Sequence, residues 1–217
     1  MDIAQIAQRR YTTKAFTPGR PLSAEQLAQL RALLRHAPSS VNSQPWHFVL
    51  AASEPGRQQV LQAMQGDFSY NAGKVRDASL VVVLCARRSL DDAHLQALLE
   101  QEQRDGRYAT PEAMATQDKT RRFYVELHQK TLQDEAVWIS RQVYLALGTL
   151  LLGAAAMELD ACPMEGFDAA ALDRELGLEQ QGLTSMVVVA LGYHSEADFN
   201  ASLPKSRLEE GRVISEI

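Results

Sequence analysis

Two short apolar segments rich in β-branched residues limit the fold of this chain more than any other feature. Leu80 to Ala86 and Met186 to Leu191 are continuous runs of valine, leucine and alanine with one cysteine and one methionine. Both are short for a helix and rich in β-branched side chains, so they read as strands buried on both faces. A strand without a polar face needs a covering layer above it and another below. Helical patterns elsewhere mix with strands without regular βαβ alternation, which predicts a three-layer α+β sandwich.

The covering helices are signed in the sequence. One helix is expected over Asp2 to Arg9. Ser23 opens a second, with Gln26 at the capping-box position, Leu22 stapled to Leu27, and Leu27, Leu30, Leu33 and Leu34 at helical spacing. A strand is expected near Trp46 to Ala52, then a helix opened by Ser53 with Pro55 near its start. Residues 91–133 form a charged helical excursion in which Thr110-Pro111-Glu112 marks one start, and Asp168 and Gly177 bracket a later short helix. Asp134 to Leu159 is apolar around most of its circumference in its second half, so it needs cover on all sides. Its longest apolar stretch, Val143 to Met157, is too short to span a bilayer. Gly148, Gly153 and Ala154 to Ala156 suit close helix packing, pointing to a homodimer. With no linker or repeat, residues 1–217 read as one domain.

Composition excludes several functions. A net charge of −5 argues against nucleic acid and against a polybasic membrane surface. Cys85 and Cys162 both lie in apolar segments, which predicts reduced, buried thiols, and no signal-peptide core follows Met1, so a cytoplasmic protein is expected. There is no G-x-G-x-x-G, Walker loop, H-E-x-x-H or C-x-x-C, hence no argument for a metal. No G-x-S-x-G surrounds a serine, which leaves Ser39 or Ser40 with His47 a weak hydrolase candidate. An enzyme built this way draws its chemistry from an organic cofactor.

Three groups of residues point to a ligand. Pro38-Ser39-Ser40-Val41-Asn42-Ser43-Gln44-Pro45 packs short hydrogen-bonding side chains between two prolines, a loop suited to a flat molecule with polar edges. Arg9-Arg10-Tyr11-Thr12-Thr13-Lys14 and Pro204-Lys205-Ser206-Arg207 are basic and hydroxyl-rich clusters in an acidic chain. Such clusters suit a phosphate monoester, with arginine forks, lysine point charges and hydroxyls completing the shell.

Taken in order, Arg10 to Lys14, Pro38 to Trp46, Asn71 with Lys74, Pro163-Met164-Glu165-Gly166-Phe167 and Leu203 to Arg207 resemble the FMN-dependent, oxygen-insensitive NAD(P)H nitroreductases of enteric bacteria. The resemblance runs along essentially the whole chain. It implies a central mixed, mainly antiparallel sheet flanked by helices, and an intertwined homodimer with one FMN in each of two interfacial sites. Arg10, Lys205 and Arg207 would hold the phosphate, with Tyr11, Thr12 and Thr13 in the same segment. Lys14, Asn71 and Lys74 would line the pyrimidine edge of the flavin. Pro163, Met164, Glu165 and Gly166 would pass its N5 side, and Pro38, Ser39, Ser40 and Asn42 would come from the partner subunit. Glu165, with Phe68 and Tyr124 as aromatic walls beside Phe123, would form the catalytic slot, and Arg107 matches a nicotinamide-binding position.

The chain departs from that pattern at Tyr11 and Thr12, where histidine and serine are expected, and at Val41, where a polar residue is expected. Phe68 and Tyr124 exchange a hydroxyl. The implied activity is reduction of nitroaromatics and quinones by NADH or NADPH, in two-electron steps of ping-pong order. The alternatives are a dihydropteridine or free-flavin reductase and a non-catalytic flavin-binding protein.

Overall fold

In the computed structural model, which describes residues 2–217, both apolar runs are central strands of one sheet. The elements in chain order are α1 (Ile3–Arg9), α2 (Ala24–Arg35), β1 (Trp46–Ala51), α3 (Glu54–Leu61), α4 (Ala72–Asp77) and β2 (Leu80–Arg87). They continue with α5 (Asp92–Arg104), α6 (Pro111–Glu126), α7 (Glu135–Ala156), β3 (Asp160–Met164), α8 (Ala169–Glu175) and β4 (Leu183–Gly192). The sheet order is β1-β2-β4-β3, and all three strand pairings are antiparallel. The parallel component reduces to an isolated bridge between Thr12 and Ala161, which lays residues 10–14 along the outer edge of β3.

Side chains of β2 and β4 alternate between two cores. Leu80, Val82, Leu84, Val187, Val189 and Leu191 pack with Leu30 and Leu34 of α2 and Val143 and Leu150 of α7. Val81, Val83, Cys85, Val188 and Ala190 pack on the other face with Val60 of α3, Val75 of α4 and Leu172 of α8. Each fully buried valine or leucine contributes about 1.5–3 kcal/mol, so these two strands hold the three layers together. A register shift between Leu84 and Cys85 leaves Met186 as an extra residue, and the bulge lets β4 begin three residues earlier than the apolar run suggests.

The expected helix starts are present. Ser23 and Gln26 form a complete capping box, and Asp91, Thr110 and Asp168 each accept a first-turn N–H. Two features differ from the sequence reading. Asp160–Met164 is a strand, although Pro163 and its short length hide it in the sequence. The helix α7 is 22 residues long and, by length and composition alone, apolar enough to cross a membrane. It instead lies against the sheet and α2, and only one of its faces is buried in the protomer. Gly153 admits Leu33 of α2, whose Cδ1 would lie 2.3 Å from an added Cβ, whereas Gly148 faces open space.

Candidate active site

Residues 10–14 run beside β3, and that placement joins the two basic clusters. A cleft of about 390 Å³ lies between the end of α1 and the chain from Asn200 to Arg207. Four cations line it, Arg9, Arg10, Lys205 and Arg207, and no carboxylate does. Burial lowers the pKa of the Lys205 ammonium, and the charges of Arg10 and Arg207 lower it further. Cations gathered without a counter-charge are a physical signature of an anion site.

The two walls of this cleft are tied by Asp198, a buried residue that nothing in the sequence marks. Its carboxylate accepts the Tyr11 hydroxyl at 3.1 Å and the backbone N–H groups of Lys14 and Asn200, also at 3.1 Å. Asn200 Nδ2 in turn donates to the Thr12 carbonyl at 2.7 Å. The departure at Tyr11 thus has a structural role: its hydroxyl fastens the first cluster to the second. Burial and the carboxylates of Asp160 and Asp198 push that phenol up to about 12. Thr13 is fully buried, and the structure does not bring its side chain to the cleft.

A second cleft of about 520 Å³ continues along the same two segments and is lined by Lys14, Tyr70, Asn71, Lys74, Cys162 to Gly166, and Phe199. Asn71 is 4% exposed and fixed at both ends. Its Nδ2 donates to the Gly166 carbonyl at 2.8 Å, and its Oδ1 accepts from Lys74 Nζ at 2.7 Å. Burial lowers the pKa of Lys74, and the nearby Lys14 charge adds to that. Glu165 accepts a hydrogen bond from Tyr144 of α7, whose phenol is pushed up to about 12 by burial and by that carboxylate. Tyr70, Tyr144 and Phe199 are site residues that the sequence alone does not single out.

The polar loop lies elsewhere. It precedes β1, at the sheet edge opposite β3, three strand spacings away, or about 14 Å. Val41, Asn42 and Gln44 all have left-handed backbones, with φ of 47°, 53° and 41°. Such a conformation is costly for any residue but glycine, and most of all for a β-branched one. Ser40 N–H donates to Gln142 of α7 at 2.9 Å, and Asn42 Nδ2 donates to Glu102 of α5 at 2.7 Å. Among the described residues no hydrogen bond joins Ser39 or Ser40 to His47, and the Ser39 hydroxyl accepts from Gln44 N–H. The hydrolase reading therefore lacks its base.

The sequence-derived residues fall into two groups. Arg10, Tyr11, Thr12, Lys14, Asn71, Lys74, Pro163, Met164, Glu165, Gly166, Lys205 and Arg207 line the two adjoining clefts. Pro38, Ser39, Ser40, Asn42, Arg107, Phe123 and Tyr124 line neither. Phe123 and Tyr124 stand exposed on α6, edge to face at 5.4 Å. Phe68 is half-buried in the turn before α4, where Tyr70, not Phe68, reaches the cleft.

A family model described as the nitroreductase family matches residues 7–193. The chain is 51% identical over 217 residues to the oxygen-insensitive NAD(P)H nitroreductase of Salmonella typhimurium, and 48% identical over 216 residues to that of Enterobacter cloacae. All of this chain and all of each relative are covered in both cases. It is also 32% identical to the major NAD(P)H-flavin oxidoreductase of Aliivibrio fischeri, across 96% of this chain and 95% of that one. Among solved structures, a protein from Exiguobacterium sibiricum described as a nitroreductase in complex with FMN superposes with a TM-score of 0.77 at 20% identity, covering 100% and 98% of the two chains. By sequence along its whole length and by fold, this chain belongs to the nitroreductase family.

Proposed function

We propose that this protein is an FMN-dependent oxidoreductase that uses NADH or NADPH to reduce nitroaromatics and quinones, working as a homodimer. The observation that carries the reading is the pair of adjoining clefts: four uncompensated cations in one, and Lys14, Lys74 and Asn71 around the other. A phosphate monoester fits the first, and a flat polar-edged ring fits the second. Arg10, Lys205 and Arg207 would hold the phosphate beside Thr12, and charge-assisted hydrogen bonds of about 1.5–3 kcal/mol each make that anchor strong. FMN bound here supplies acceptance of a hydride from NAD(P)H and delivery of two electrons to an acceptor.

The protein's own residues prepare that chemistry. Lys14 and Lys74 place positive charge where a reduced ring carries negative charge. Asn71, locked between Gly166 and Lys74, presents an amide in one orientation. Gly166 has no side chain, and that lets Tyr70 and Asn71 close over the backbone of the cleft wall. Donor and acceptor would use the same slot in turn, which gives a ping-pong order. Positioning then matters more than acid–base catalysis.

Two observations support the dimer. The polar loop, Arg107 and the aromatic pair of α6 line no cleft with the flavin-side residues of their own chain, which fits a site that a partner subunit completes. Residues 201–217 are exposed throughout and carry Leu203, Leu208, Val213, Ile214 and Ile217. A protomer alone leaves that apolar surface in water. Cys85 and Cys162 are buried and unpaired, which supports a reducing, cytoplasmic setting.

The purified protein is expected to be yellow and to bleach anaerobically on addition of NADH or NADPH. Replacing Lys205 and Arg207 with alanine should release FMN. Colourless protein that takes up no added FMN would defeat the reading. The similarity to the Aliivibrio fischeri enzyme favours free-flavin reduction as a second reading. Turnover with free flavin compared with a nitroaromatic separates the two.

A further inference from the structure

Between α5 and α6 lies a buried ion pair that the proposed reaction does not use. Arg121 of α6 is 0% exposed and Glu102 of α5 is 5% exposed. Arg121 Nη2 donates to both Glu102 oxygens, at 2.6 and 2.7 Å, and its Nε donates to the Val41 carbonyl at 3.0 Å. Glu102 also accepts from Asn42 Nδ2 at 2.7 Å and from the Tyr108 hydroxyl, while its backbone carbonyl accepts the N–H of Arg107 at 3.0 Å. Arg121 Nη1 is buried with no hydrogen-bond partner among the described residues.

The partners are specific. Two are the left-handed residues themselves: Arg121 holds the carbonyl of Val41, and Glu102 holds the side chain of Asn42. Strained backbone persists only where its surroundings over-determine it. A third partner, Tyr108, and the Arg107 backbone belong to the turn after α5. Arg121 lies two and three residues before Phe123 and Tyr124.

We propose that Glu102 and Arg121 are positioning residues: the pair holds the Ser39–Gln44 loop in its left-handed shape and ties it to the Arg107 turn and the aromatic end of α6. The inference rests on the proposed function, since it assumes that the loop frames a flavin. Cofactor affinity and nicotinamide affinity then depend on one buried carboxylate that touches neither ligand. A loop that holds its binding shape only a tenth of the time weakens apparent affinity about tenfold.

The test replaces the pair by apolar side chains of similar size, Glu102→Leu with Arg121→Met. Such swaps generally keep a fold intact, because no lone buried charge remains. The expected result is an unchanged or raised melting temperature with an FMN dissociation constant raised roughly tenfold by flavin fluorescence. KM for NAD(P)H should rise more than kcat falls, and the amides of residues 40–44 should exchange faster in the FMN-free protein. A purely structural pair would leave FMN affinity, KM and loop exchange at wild-type values, and that result overturns the proposal. Should the double variant not fold, Glu102→Gln in the same assays decides: wild-type FMN affinity and loop exchange overturn the proposal, and weaker binding with faster exchange supports it. Wild-type protein that binds no FMN would sink the flavin reading instead, and the exchange comparison would still decide the role of the pair.

Discussion

Gly166 lies under two side chains that leave no room for a third carbon. A Cβ there would lie 2.2 Å from the Tyr70 hydroxyl and 3.1 Å from Asn71 Nδ2. Tyr70 is 67% exposed and can swing away, but Asn71 is buried and bonded to the carbonyl of Gly166 itself. Gly166→Ala should therefore shift the site while sparing the fold: FMN affinity falls roughly tenfold, equivalent to about 1.4 kcal/mol, with a melting temperature close to wild type. Fluorescence titration beside thermal denaturation checks both. Glu102 makes a prediction about acid. Burial alone would raise its pKa, but hydrogen bonds from Arg121, Tyr108 and Asn42 outweigh that and hold it below its ordinary 4.5. A depressed carboxylate stabilises the fold fully above its unfolded value and loses that contribution as pH falls through the folded one. Stability should thus drop steeply below about pH 4.5, and Glu102→Gln should flatten that limb in pH-dependent denaturation. At this scale the sequence was legible where a residue's type matched a motif, as at Asn71, Lys205 and Gly166. It was silent where the role came from a distant contact. Asp198 and Arg121 look like solvated charges until the fold brings Tyr11 and Val41 against them.

Elements with strong local signals form as the sequence reads. The capping box at Ser23 and the apolar runs in β2 and β4 carry their own instructions. Weak local signals give way to tertiary contacts, as in β3, a strand containing Pro163 that is held by five residue pairings to β4. The start of β4 is another example, and it can be tested. Thr184 and Ser185 are polar, yet they extend the strand because Asp173 of α8 accepts the Ser185 N–H and both hydroxyls, each at 2.7 Å. Asp173→Ala would leave a buried N–H without a partner, at a cost of about 3 kcal/mol. In a chain of this length that lowers the melting temperature by roughly 6–12 °C. FMN bound per folded molecule should not change, because α8 lines neither cleft. The helix α7 shows why amphipathic reading fails for apolar helices. Gln142 and Tyr144 are two residues apart, so they point to different faces. One reaches the polar loop and the other reaches Glu165.

The whole molecule separates what the sequence motifs group together. Residues 163–166 close the strand at one edge of the sheet and run on past it, and residues 38–45 precede the strand at the other. No rearrangement within this fold brings them together, since β2 and β4 lie between them and their cores are closed on both faces. In the proposed homodimer, a second copy brings one protomer's loop to the other's cleft. The surface that would do so is visible on α7, where Val137, Arg141, Tyr144, Leu145 and Gly148 are exposed on one helical stripe. Three of these are large apolar or aromatic side chains, and Gly148 meets nothing within 4 Å, so another backbone can approach closely there. Tyr144 belongs to this stripe and also bonds Glu165, which places the interface and the flavin-side cleft next to each other. Leu145 is 50% exposed and touches neither cleft, so it tests the assembly without touching the site. Leu145→Arg should leave the protomer folded, because the side chain it replaces already faces water in the monomer. Across a twofold interface the two copies would instead bury like charges against an apolar surface. Sedimentation should then show a monomer where the wild type is expected to sediment as a dimer, with far-ultraviolet circular dichroism unchanged and FMN no longer retained. A Leu145→Arg protein that sediments as a dimer with FMN bound would show that the copies meet through another surface. A monomer that still holds FMN would mean that one chain completes the site by itself.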